Sequence, residues 1–110
     1  MIVHFSYRIA YFWPNPTVLW RLPFAVFVEF GGACFVGIAR LLPDARYAGS
    51  EARVALLERG IQAIMDDPWD YRGHDLSGKL GPHFEIGGTG HQATSEVDVV
   101  QWAVNNLLPH

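Results

Sequence analysis

Four groups of residues in this 110-residue chain have types and spacings that could do chemistry. Gly88-Thr89-Gly90-His91-Gln92-Ala93 fits the G-x-G-x-x-A spacing of a pyrophosphate-cradling turn, and it follows a strand-like His83-Phe84-Glu85-Ile86. His74, His83 and His91 lie beside Asp70, Asp75 and Glu85, side chains of the kinds that ligate metals. Ser50, Ser77 and Cys34 are candidate nucleophiles. Glu29 is the one carboxylate in the most apolar segment, where an ionised group needs a partner.

Spacing removes the first three. In a dinucleotide fold the glycines open the helix itself, a parallel strand follows, and an acidic residue about 20 positions on holds the ribose. Here the helical pattern begins only near Thr94 or Ser95, and no strand pattern follows it. The match reads instead as a flexible turn between strand and helix, with Gly87, Gly88 or Gly90 supplying a positive φ. Backbone N–H groups near Thr94 to Glu96 could cradle an anion, a role Glu96 and Asp98 already fill electrostatically. Among the histidines only His83-x-Glu85 has the tight local spacing of a ligand pair, and the P-C-x-x-C partner of the zinc deaminases is absent. Neither a metal nor a cofactor is expected. There is no G-x-S-x-G elbow; Ser50 reads as a helix cap, Ser77 has no base beside it, and Cys34 sits among Ala33, Phe35 and Val36 as a small hydrophobe.

Glu29 is positioned by its element. Gly31-Gly32, between runs of β-branched and aromatic residues, is the dipeptide of a primed two-residue turn. Residues 22–39 therefore read as a hairpin pairing Phe30 with Ala33, Glu29 with Cys34, Val28 with Phe35 and Phe27 with Val36. A membrane helix over the same residues would be short and would set Glu29 near its centre, so no membrane partner is expected. One hairpin face carries Phe24, Val26, Val28, Phe30 and Phe35; the other carries Ala25, Phe27, Glu29, Cys34, Val36 and Ile38. Residues 2–12 alternate as a strand, with Val3, Phe5, Tyr7, Ile9 and Tyr11 opposite His4, Ser6 and Arg8. If that strand pairs with the hairpin, Arg8 or His4 can supply the cation at Glu29. Two readings follow: a structural pair between Glu29 and Arg8 beneath a dimer interface, or a pocket formed by Glu29, Arg8, His4, Phe27 and Val36, with Glu29 as acid, base or cation anchor.

The remaining elements are a helix over residues 50–67, capped by Ser50, with Val54, Leu57, Ile61, Ile64 and Met65 on one stripe. A long surface loop spans 68–82, and His83 to Ile86 form a last strand. The final helix starts near Thr94 or Ser95, with Val97, Val100, Val104, Leu107 and Leu108 inward and Val99 and Trp102 outward. This order predicts one α+β domain over 1–110, a two-layer fold with an antiparallel sheet of four to five strands and two helices on one face.

Half of the residues are hydrophobic, 17% are charged, and the net charge is −3. The eight Lys and Arg are scattered, which argues against nucleic acid. So apolar a small chain is expected to associate with a second copy, and one cysteine with no signal-peptide pattern points to the cytoplasm. The expected function is a homodimeric binding module for a small apolar or cationic ligand; the alternative is a small hydrolytic enzyme using Glu29 or the His74, His83 and His91 region.

Overall fold

The computed structural model describes residues 1–15, 21–40, 50–72 and 75–108. Strand β1 (Val3–Phe12) runs through the middle of an open antiparallel sheet. On one side it pairs with β2 (Leu22–Phe30), which turns through Gly31 and Gly32 into β3 (Ala33–Ile38). The turn glycines have φ of 60° and 77°, a region other residues enter at a cost, and the hairpin register is the expected one. Thr17 to Leu22, whose residue types fit a short second strand, is described only at Arg21 and Leu22, and Leu22 opens β2.

On its other side β1 pairs with two strands in line. β4 (Phe84–Ile86) lies against the Phe12 end and β5 (Gly90–Thr94) against the Val3 end. Residues 87–89 face only Arg8 and Ile9, so one extra residue makes a bulge, held where the Gly87 N–H donates to the Ile9 carbonyl at 2.8 Å. The would-be nucleotide turn is thus a bulge and an edge strand, not an entry into a helix. Its glycines are not used for positive φ either, which among the described residues occurs at Gly31, Gly32 and Gly81. Aromatic rings lie on them instead: a Cβ on Gly90 would collide with the Tyr7 ring, and one on Gly87 would stand 3.2 Å from Tyr11.

Alternation gives the sheet two apolar faces. Val3, Phe5, Tyr7 and Ile9 join Val26, Val28 and Phe30 beneath α4 (Val99–Leu107). Ala10, Phe12, Ala25 and Phe27 lie beneath α1 (Glu51–Asp66) and α3 (Leu76–Leu80). The α+β antiparallel fold is as expected, but the two longer helices stand on opposite faces. Val26 and Phe27 explain this, since successive apolar residues point to opposite sides and each needs cover. Phe24, expected beside Val26, joins the Phe27 side because the register slips between Ala10 and Tyr11.

α1 starts where the Ser50 hydroxyl accepts from the Arg53 N–H at 3.2 Å, buries Leu57 and Ile64, and ends at Asp67; Met65 is exposed. The segment read as a loop holds two short helices, α2 (Pro68–Tyr71) and α3. The Asp67 and Asp75 carboxylates cap them, accepting from Asp70 and Gly78, and Leu76 of α3 is buried. α4 begins later than expected, at Val99, where Asp98 accepts from the Gln101 N–H at 3.0 Å. Its phase differs as well: Val99 is buried and Trp102 meets Phe5 edge-on at 5.8 Å, whereas Val97 is fully exposed. Among the described residues, no helix is long and apolar enough to cross a membrane.

Candidate functional site

Four strands meet in a polar row across the sheet. Ser6 of β1 is paired with Glu29 of β2 on one side and His91 of β5 on the other, and Glu29 is paired with Cys34 of β3. Directly paired residues share a sheet face, so Cys34, Glu29, Ser6 and His91 stand side by side. The row lies on the face that α1 and α3 cover near Phe12, at the end they leave open. A cleft of about 390 Å³ opens there, lined by His4, Phe5, Ser6, Glu29, His91 and Gln92.

Glu29 is not paired with Arg8, the cation expected of it. Its carboxylate Oε1 lies 3.3 Å from Nε of Arg72, which follows α2. The Arg72 guanidinium also sits 3.8 Å above the ring centre of Trp69, one helical turn back. Arg8 holds the same segment differently: its Nη1 donates to the Arg72 carbonyl at 3.1 Å and its Nε to the Thr89 hydroxyl at 2.9 Å. Arg72 was missed because the Gly-rich, aperiodic run around it reads as loop, although the Trp69 to Arg72 spacing is helical.

Of the other anticipated site residues, His4 lines the cleft, while Phe27 is core and Val36 packs against that core. Cys34 is partly buried; desolvation first, then the neighbouring Glu29 charge, push its thiol from 9.0 up to about 11, with Arg72 pulling the other way. It is a proton-bearing thiol at neutral pH and a poor nucleophile.

His83 and His91 do not share a site. His91 belongs to the cleft, and His74 lies outside the described residues. His83 stacks on Phe12 at 5.6 Å and its Nδ1–H donates to the Trp13 carbonyl at 2.5 Å, a structural arrangement. Glu85, whose spacing from His83 is that of a ligand pair, is taken by Arg21 at 2.7 Å and the Trp13 indole N–H at 3.1 Å. No group of three metal-ligating side chains occurs among the described residues. The weak anion cradle before the last helix is closed from within, because the Thr94 hydroxyl accepts from the Glu96 N–H at 3.0 Å.

The cleft presents uncommitted polar groups. His4, Ser6 and His91 make no side-chain hydrogen bond among the described residues, so their donors and acceptors are open. Ser6 and His91 are neighbours, but Glu29 lies on the far side of Ser6 from His91 and cannot orient that imidazole as a triad would. The chain matches no family model, no curated protein and no solved structure.

Proposed function

We propose that this chain is a small-molecule binding module whose ligand carries a cationic group seated at Glu29 and polar groups engaged by His4, Ser6 and His91. One observation carries the reading: a carboxylate and three uncommitted polar side chains on one sheet face converge from three strands on one open cleft. Rigid placement of a few polar groups is how binding sites fix a ligand's orientation. A hydrolytic role has less support, since among the described residues no base is oriented toward a nucleophile and the Cys34 thiol holds its proton.

Association with a second copy, expected from the apolar content, draws support from Phe35, 41% exposed, and the exposed Val97, both near the hairpin tip. Residence in a reducing compartment rests on Cys34 alone.

Amide chemical-shift mapping with ethylguanidinium, butylammonium and acetate tests the proposal. The two cations should move the resonances of Ser6, Glu29, His91 and Gln92, and acetate should not. Shifts confined to other residues, or equal shifts with acetate, would defeat it.

A further inference from the structure

The ligand's cation position already holds an occupant. We infer that Arg72 is a built-in competitor at Glu29 and that an external guanidinium binds by displacing it, which rests on the cation reading above. The Arg72 guanidinium has a carboxylate on one side and an indole face on another, the two contacts by which proteins recognise a free guanidinium or ammonium. Glu29 therefore sits where it can serve either cation, because it both pairs with Arg72 and lines the cleft.

The internal fit is imperfect, which makes the occupant displaceable. Nε of Arg72 is covered from solvent yet makes no hydrogen bond, at 3.3 Å from the carboxylate and out of line with it. A free guanidinium entering from the cleft can align two parallel N–H groups with the carboxylate, a geometry the tethered side chain does not reach. Water also has access, since the side chains of Arg72 and Glu29 are 35% and 30% exposed, and pairs so placed are weak. The backbone need not move. Arg8 anchors the Arg72 carbonyl to the bulge through Thr89, so only the side chain has to swing off.

Displacement has two readouts in the intact chain: affinity, and the emission of Trp69, half exposed and lying beneath the Arg72 guanidinium. Ethylguanidinium is titrated calorimetrically into the native chain, Arg72→Met, Arg72→Lys and Glu29→Gln. If Arg72 fills the position in most molecules, removing its charge should tighten binding by about fivefold, the reciprocal of the fraction left open. Arg72→Lys, which keeps the charge and loses the planar stack, should fall between and serves if Arg72→Met does not fold. Glu29→Gln should abolish binding. In the native chain, saturation should change tryptophan emission, and that change should vanish in Trp69→Phe. Equal affinity in the native chain and both Arg72 variants overturns the competitor and leaves the cation reading standing. No binding by any folded variant overturns both.

Discussion

Positions 4, 6, 8, 10 and 12 of β1 lie on one face of one sheet, yet the two ends of that face are different materials. At the Phe12 end, Ala10 and Phe12 are wholly buried with Phe24, Phe84, Leu57, Ile64 and Leu76. At the other end His4 is exposed, and Ser6 and His91 line an open cleft. The strand is the same; the cover differs. α1 and α3 sit over the first end only, and the residue types follow the cover, because a polar side chain beneath a helix would need a partner and an apolar one in the open would gain nothing. The chain thus builds core and open cleft on a single surface, separated by two or three strand positions.

The sharpest way to break this contrast is to remove a ring from the covered end. Phe84 packs edge-on against Phe12 at 5.4 Å and Phe24 at 5.9 Å and closes over Gly60 of α1. Phe84→Ala should cost about 3–5 kcal/mol in urea unfolding, the range for a truncated core aromatic. Ser6→Ala and His91→Ala, at the open end, should each stay within about 0.5 kcal/mol, as surface changes do. Comparable losses at Ser6 or His91 would mean that the open end is structural after all.

Glycine sharpens the same comparison at a smaller scale. A Cβ on Gly60 would meet the buried Phe84 ring, which has nowhere to retreat, so Gly60→Ala should destabilise by about 1–3 kcal/mol even though alanine favours the helix. The loss should shrink when Phe84→Leu is added. At Gly90 the collision is with the far end of the Tyr7 side chain, beside an open groove, so Gly90→Ala should cost less than Gly60→Ala. The reverse order in thermal melts would mean that the Tyr7 ring, on the α4 side of the sheet, is held as firmly as Phe84.

What could be read from the residues was whatever depends on neighbours in sequence. The Gly31-Gly32 turn, the hairpin register, the Ser50 cap and the stop at Asp67 all rest on local backbone chemistry, and each is found. What could not be read depends on distant segments. Even positions of β1 look like a solvent face through Arg8, and nothing local says that Ala10 and Phe12 continue that face into a core. The bulge that transfers Phe24 leaves no period to detect. Gly87 and Gly90 suggest turn dihedrals, while their reason is two tyrosine rings more than 70 residues away. That His4 and Glu29 share a sheet face follows from strand alternation; that Arg72 reaches Glu29 follows only from the packing of α2 on the sheet.

The pair at the boundary between the two ends should matter little to stability. With about a third of each side chain exposed, Glu29→Gln should cost under about 1 kcal/mol, against about 3–5 kcal/mol for breaking a fully buried pair. A thermal-melt loss in the larger range would place Glu29 with the covered end of the sheet.

The smallest effect is the most diagnostic of the boundary, because Cys34 senses both sides of it. Burial, and then the Glu29 charge, raise its thiol to about 11, and Arg72 opposes them. In the unfolded chain the thiol ionises near 9.0, so between that value and about 11 the folded state retains a proton that the unfolded state has lost. Each further rise in pH then favours unfolding, and the contribution of this thiol to stability is complete below pH 9 and lost across that window. Because tyrosine and lysine titrate in the same range, the measurement is the difference in melting temperature between the native chain and Cys34→Ala, followed from pH 8 upward. That difference should move against the native chain as pH rises. Alkylation by iodoacetamide gives the ionisation directly: its rate should climb well above pH 9, at lower pH in Glu29→Gln and at higher pH in Arg72→Met. A rate profile centred at 9 in all three proteins would show a thiol in water, and with it a hairpin end that nothing covers.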